Sequence, residues 1–296
     1  MSPLSHRDHA QQLRTMLEHG QLVRMPCAYD GLSARIAQSV GFSAVAFSGN
    51  AVSASLLGLP DIGAMTLTEN VTHAGRIARS LDIPMICDAD TGYGGVMNVM
   101  RTVREFEAAG IAGIHIEDQV TPKRCGLLPQ GIPVITQDEA CQKFKAAAHA
   151  RTNPNFLLIA RTDAKSMHGL EDAAQRARAY VHAGADAALV MGANTPEELR
   201  YVADVVQAPL VVVVQEAGPT TALTNDMLTS VGCVFALHAG VARYAAVKAL
   251  QDAFQALHQD SHTRSVSDRM ASFDDYNQVL GLNDWLALER QFTDNE

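Results

Sequence analysis

Several familiar signatures are missing from this chain of 296 residues. No apolar run reaches the roughly 18 residues a membrane-spanning helix needs, so no membrane partner is expected. There is no block of lysines and arginines, and the formal net charge is −9. Both points argue against nucleic acid or an acidic membrane surface as a partner. The five cysteines, Cys27, Cys87, Cys125, Cys141 and Cys233, are odd in number and lack the spacing of a disulfide framework or a metal site. They point to a reducing compartment. The stretch from Met1 to His9 is polar, without the apolar core of a signal peptide. A cytoplasmic protein is the expectation. No GxGxxG turn is present to support a doubly wound dinucleotide-binding sheet. What the chain does have is 47% hydrophobic residues with only 19% charged ones, enough for a full core in one large α/β domain or two smaller ones.

Short apolar strands alternate with helical periodicity along most of the length. Strands are expected over 22–28, 44–47, 84–87, 113–116, 156–160, 187–190, 210–214 and 233–237. Helices are expected over 5–20, 30–41, 68–81, 96–109, 137–150, 170–183 and 241–257, with another capped by Thr195 and opened by Pro196. Four joints repeat a helix, then a glycine, then a strand, at Gly41, Gly110, Gly184 and Gly232. The strands lack polar alternation, as parallel strands buried on both faces do. About eight strand–helix units predict an α/β fold, a closed (β/α)8 barrel of the TIM type, whose chemistry sits at the C-terminal strand ends. Residues 1–258 form the expected catalytic barrel. Residues 259–296 form a polar linker and a helical extension with apolar stripes at Phe273, Tyr276, Val279, Leu280, Trp285 and Leu288. That extension covers either the barrel bottom or a neighbouring subunit.

The expected strand ends collect polar groups. Asp88 and Asp90 stand two residues apart, and strand alternation would aim both the same way. Two carboxylates so close call for a cation or a shared proton, although an ordinary polar loop reads almost as well. With Glu117 from the next strand they could share Mg²⁺ or Mn²⁺, partly through water. Arg161 offers a planar fork for a carboxylate or phosphate; the alternative is a buried ion pair with Asp163 or Glu117. Ser48-Gly49-Asn50 could present backbone N–H groups to an anion, or be a plain turn. Cys125 follows Lys123 and Arg124 on a long polar segment, where neighbouring cations would favour a thiolate and a closing loop would let it act as an acid or base. The other cysteines read as core. His115, inside a strand, reads as a satisfied core histidine, and His238 is open either way.

Taken together, Ser48-Gly49, Asp88-Ala89-Asp90-Thr91-Gly92-Tyr93-Gly94, Ile116-Glu117-Asp118-Gln119, Pro122-Lys123-Arg124-Cys125-Gly126 and Ala160-Arg161-Thr162-Asp163 resemble the isocitrate lyase/phosphoenolpyruvate mutase superfamily over nearly the whole chain. The resemblance implies a barrel whose C-terminal helix is swapped between subunits of a homo-oligomer, a dimer or tetramer. It implies Mg²⁺ near Asp88, Asp90, Glu117 and Asp61, and a substrate carboxylate held by Ser48, Gly49, Asn50, Arg161, Cys125 and Gly126. It also implies a gating loop around Cys125, with Cys125, Arg161 and Lys123 as the catalytic candidates. Three departures stand out. Leu127 replaces the histidine usual in the lyases, Met191 replaces a glutamate or histidine, and an asparagine is lost within Val211 to Val214. The distal pocket has therefore lost polar groups. The expected activity is a Mg²⁺-dependent carbon–carbon lyase acting on a small 2-hydroxy- or 2-oxo-dicarboxylate. The alternatives are a phosphonate P–C bond enzyme and a non-catalytic anion-binding protein on the same scaffold.

Overall fold

In the computed structural model, residues 8–126, 131–216 and 218–293 are described. Eight parallel strands close into a barrel in sequence order: β1 (Val23–Ala28), β2 (Val45–Phe47), β3 (Met85–Asp88), β4 (Gly113–Glu117), β5 (Leu157–Thr162), β6 (Ala187–Val190), β7 (Leu210–Val214) and β8 (Cys233–His238). Closure is made by β1 against β8, with Val23 opposite Phe235 and Pro26 opposite His238. All of the expected strands are present, each within two residues of its expected ends.

The barrel lumen is filled by Met25, Ile86, Leu157, Ile159, Leu189, Phe235 and Leu237, and Leu13 and Leu17 of the helix His9–His19 join them. Leu13 is fully buried and would lie 3.3 Å from a β-carbon placed on Gly113, at the start of β4. This N-terminal helix therefore seals the bottom of the barrel, and the C-terminal extension does not. Two further cores lie between the sheet and the surrounding helices, one around Phe106, Ile114 and Ile116, the other around Val190, Leu199 and Val212.

The helices are delimited by local chemistry. Asp30 and Thr66 form reciprocal capping boxes with Ser33 and Glu69. Gly41 closes the helix Gly31–Val40 in the left-handed conformation (φ 103°). The expected 170–183 helix is part of Lys165–His182, which breaks at Gly169 (φ 86°). The connection from β7 to β8 holds a short helix, Asn225–Ser230, that was not anticipated.

The extension consists of the helices Phe273–Leu280 and Leu282–Thr293, and neither has a fully buried residue. The first lies against the helix Gly31–Val40, where Arg35 Nε donates to the Val279 carbonyl at 2.9 Å. Phe273 and Phe292 are 78% and 76% exposed, and Trp285 is 52% exposed. The helix Val241–Asp260 exposes a stripe of its own at Val247, Leu250 and Phe254. No helix among the described residues is long and apolar enough to cross a membrane.

Candidate active site

A pocket opens at the C-terminal strand ends, where a barrel of this type places its chemistry. Ser48, Asn50, Asp61, Asp88, His115, Cys125, Gly126 and Arg161 form its polar wall. Met191, Val213 and Leu237 form an apolar wall.

The two aspartates reach the site by different routes. Asp88 ends β3 and faces the pocket. Asp90 lies beyond the strand with φ 47°, a left-handed turn in which strand alternation no longer applies. Its amide donates to Asp88 Oδ1 at 3.0 Å, and its own carboxylate points to Lys123. The expectation that alternation aims both carboxylates together is corrected accordingly; a turn brings them close.

The carboxylates also fail to converge on one point. Among the described residues no three acidic, imidazole or thiol groups form a ready-made metal cluster. Lys123 Nζ sits 2.7 Å from both Asp61 Oδ1 and Asp90 Oδ1. Arg161 Nη1 lies 3.0 Å from Glu117 Oε2 and 4.0 Å from Asp88 Oδ2. The other edge of Arg161 is committed to Asp163 through two contacts of 2.9 Å, Nε to Oδ2 and Nη2 to Oδ1. Of the two readings of Arg161, the buried ion pair holds: one edge of the fork meets Asp163, and Nη1 meets Glu117 and faces the pocket beside Asp88. The remaining lone pairs belong to Glu117, whose Oε1 has no hydrogen-bond partner among the described residues.

These charges are mutually dependent. Burial pushes Asp90 up to about 6; Lys123 opposes this and Asp88 reinforces it. Burial also lifts Glu117 well above the carboxylate range, against the pull of Arg161. Burial disfavours the Asp88 carboxylate too, but His115, Lys123 and Arg161 outweigh it and hold the group at about 2. Lys123 would lose its proton more readily on burial alone, yet Asp90 and Asp88 keep it well above its ordinary value. In direct ion pairs among the described residues, Asp61, Asp88, Asp90, Glu117 and Asp163 meet two permanent cations, Lys123 and Arg161. Mg²⁺ needs one or two carboxylates and keeps several waters. A hard-oxygen set with surplus negative charge and an unused carboxylate oxygen fits such an ion, with Asp88 and Asp61 on the pocket wall and Asp90 and Glu117 behind it.

Gly49 and Gly126 allow close approach. A β-carbon on Gly49 would lie 2.7 Å from Asp88 Oδ2, and one on Gly126 would lie 2.5 Å from Asp163 Oδ1. Ser48, expected in a turn, caps the short helix Gly49–Val52, its Oγ accepting the Ala51 N–H at 3.3 Å. Cys125 is half-buried and free. The neighbouring cations do not turn toward it. Lys123 engages Asp61 and Asp90, and Arg124 donates to the carbonyls of Ile62 and Lys123. The foundation of the loop is pinned by Gln119, which exchanges two hydrogen bonds with the Arg124 backbone, at 3.0 and 2.8 Å. Leu127 lies outside the described residues.

Three groups in and behind the site escaped the sequence reading. His115 is not a satisfied core residue. It lines the pocket, its Nδ1 is 3.6 Å from Asp88 Oδ1 with no hydrogen-bond partner among the described residues, and burial pushes its pKa down against the pull of Asp88. Standing two residues before Glu117, it shares that residue's face, a signal present in the alternation. Arg243 also lines the pocket and was overlooked. A cation in the first turn of a helix opposes the macrodipole, which could have marked it. Asp118 is the buried anchor behind the site, accepting from Thr162 Oγ1 (2.7 Å), Tyr180 OH (2.8 Å) and the Asp163 amide (3.0 Å). His238 pairs with Glu216 at 3.1 Å.

Comparison with known proteins gives a consistent picture. The family model described as phosphoenolpyruvate phosphomutase matches residues 13–258. The chain is 38% identical over 283 residues to 2,3-dimethylmalate lyase of Eubacterium barkeri, covering 96% of this chain and 98% of that one. Among solved structures it is similar to oxaloacetate acetylhydrolase in complex with the inhibitor 3,3-difluorooxalacetate, with a TM-score of 0.91, 31% identity and coverage of 97% and 98%. It is also similar to phosphonopyruvate hydrolase in complex with oxalate and Mg²⁺, with a TM-score of 0.86, 29% identity and coverage of 96% and 99%.

Proposed function

The chain belongs to the phosphoenolpyruvate mutase/isocitrate lyase superfamily, and from that premise we propose that it is a carbon–carbon lyase acting on a small 2-hydroxy- or 2-oxo-dicarboxylate. One observation carries this reading. Cys125 lines the same pocket as Asp88 and Arg161, and Met191, Val213 and Leu237 offer that pocket apolar side chains with no partner for a third acidic group. A site without such partners discriminates poorly for groups that need them. That argues for a substrate smaller or more alkylated than a tricarboxylate.

Asp88, with Asp90, Glu117 and Asp61 around it, would hold Mg²⁺, which when bound supplies positive charge to the substrate oxygens as negative charge develops there. Arg161, held rigid by Asp163, and the first turn of the helix at Ser48-Gly49-Asn50 fix one substrate carboxylate. Gly126 admits that group close to Arg161. For a 2-hydroxy substrate, the hydroxyl proton passes to solvent water, from which the Cys125 thiolate later regains one, and the bond between C2 and C3 breaks. C2 becomes the carbonyl of a 2-oxo acid, and the electron pair stays on C3, where the Cys125 thiol delivers its proton. For a 2-oxo substrate that loses carbon dioxide, the same loop chiefly excludes water. Lys123 sets the charge of Asp61 and Asp90 and acts on the reaction through them. The exposed apolar stripes of the helix Val241–Asp260 and of the extension support a homo-oligomer, dimer or tetramer, and the unpaired cysteines support a cytoplasmic one. In it the extension after the 1–258 barrel stays on its own subunit through Phe273–Leu280 and lies across a neighbouring subunit through Leu282–Thr293.

Incubation with Mg²⁺ and, separately, oxaloacetate, 2,3-dimethylmalate, 2-methylisocitrate and phosphonopyruvate tests this. Turnover of oxaloacetate or 2,3-dimethylmalate, with 2-methylisocitrate slower, is expected. Turnover of phosphonopyruvate alone would overturn the lyase reading.

A further inference from the structure

We propose that Asn50, locked in orientation by Arg243, is a positioning residue for Cys125: its side-chain N–H engages the sulfur and leaves the thiol proton free to face the pocket. Arg243 Nη1 donates to Asn50 Oδ1, and Asn50 Nδ2 donates to Cys125 Sγ at 3.3 Å. A guanidinium has donors only. The amide oxygen of Asn50 must therefore face Arg243, and the amide nitrogen must face the sulfur. Rotating the amide would set donor against donor at one end and acceptor against sulfur lone pair at the other.

Arg243 is itself held in place. Its Nη2 donates to Tyr244 OH at 2.9 Å, and its guanidinium lies 4.7 Å from the Tyr244 ring centroid. In the first turn of Val241–Asp260, where the helix dipole disfavours a cation, a carbonyl acceptor such as that of Asn50 is a stabilising partner. Asn50 and Cys125 both line the pocket, along with Asp61, Asp88, His115 and Arg161. With a sulfur lone pair occupied by the amide, the S–H bond is left to turn toward these groups and any substrate among them. The same N–H stabilises the thiolate once the proton has gone.

The inference rests on the reading of Cys125 as a proton donor, and alkylation tests it without any substrate. Cys125 is alkylated with iodoacetamide at fixed pH, and its rate is read by mass spectrometry of the peptide that carries it. Because the thiolate is the reacting form, Asn50→Leu is expected to slow alkylation roughly tenfold, the effect of losing one hydrogen bond to a charged group. Arg243→Met is expected to slow it as well. In the double variant the two effects do not multiply, since Arg243 acts through Asn50. Asn50→Asp keeps the shape and the Arg243 partner but sets an anionic oxygen against the sulfur in place of the N–H, so it slows alkylation further than Asn50→Leu and guards against a folding defect in that variant. In turnover, Asn50→Leu, which leaves the backbone N–H groups of the helix in place, lowers kcat while KM stays within about twofold; Asn50→Asp lowers kcat and also raises KM, since its carboxylate repels an anionic substrate. Unchanged alkylation in both Asn50 variants, or multiplicative effects in the double variant, overturns the proposal. Loss of the lyase reading would appear only in the substrate panel and leave the alkylation result standing.

Discussion

The ammonium of Lys123 does work that a metal ion would otherwise do, and replacing it by methionine tests how much. The side chain is 5% exposed, and Nζ lies 2.7 Å from a carboxylate oxygen of both Asp61 and Asp90. At an effective dielectric near 20, each such contact is worth about 6 kcal/mol before desolvation of the ammonium is subtracted. Removing one partner of a buried ion pair typically costs about 3–5 kcal/mol net, because the stranded charge stays behind. Lys123→Met keeps the stem and removes only the charge. In metal-free buffer at pH 8, denaturant unfolding should show a loss of about that size. The loss has a defined pH dependence. Asp90 is raised to about 6 even with Lys123 present, and a carboxyl whose folded pKa is raised contributes stability at low pH that is lost as pH rises through that value. Without Lys123 the carboxyl rises further, so the destabilisation should shrink as pH falls toward 5. Mg²⁺ should restore part of the loss, by about 2.7 kcal/mol at a hundredfold excess over its Kd, and should stabilise the variant more than the wild type. A variant as stable as wild type in metal-free buffer, or an equal Mg²⁺ increment in both proteins, would refute the reasoning.

Further outcomes follow from the same geometry. Cys125→Ser should lower kcat by roughly 10²–10⁴-fold with little change in KM if the sulfur donates a proton, and by only a few-fold if carbon dioxide is the leaving group; steady-state kinetics on the best panel substrate reads the difference. Asp90→Asn should flatten the metal-free stability profile between pH 4 and about 6, and should abolish metal-dependent turnover while the protein still unfolds cooperatively; an unaltered profile would mean that another group titrates there. Trp285→Asp combined with Phe273→Asp should shift the protein to a smaller species in sedimentation velocity, whereas a wild type that already sediments as a monomer would remove the case for a swapped extension.

The barrel could be read from the chain because each strand is a short apolar run closed by polar residues, and several helices open on a side-chain cap, as at Asp30, Thr66 and Thr195. The β7–β8 connection could not: the six residues of Asn225–Ser230 are too few to show a helical period. At the site, Asp88, Arg161 and Cys125 were identified from type and position. Their partners were legible only in part. Asp163 and Glu117 could be named as alternatives for Arg161 but not chosen over a ligand, and Lys123 meets Asp61 from a distant loop, which local pattern does not distinguish from a free side chain. Asp90 came out near Asp88, although the reason proved to be a left-handed turn (φ 47°) instead of strand alternation. His115 was set aside because a histidine inside a strand resembles core, although alternation put it on the face of Glu117.

Parallel pairing sets Asp88 beside His115 and Glu117 beside Arg161 across adjacent strands. A closed barrel has no free edge at which a misaligned strand can be tolerated, so every slip must be absorbed by all the others. Sliding β4 by one residue would turn His115 and Glu117 outward, into the apolar layer where Ile114 and Ile116 now pack around Phe106. A bare carboxylate there would be far costlier than a misplaced isoleucine. The charge pairs that prepare the pocket thus also reject wrong closures during folding. Neutralising them for a new chemistry should therefore loosen the choice of register before it loosens the barrel, and refolding yield would be the first quantity to fall.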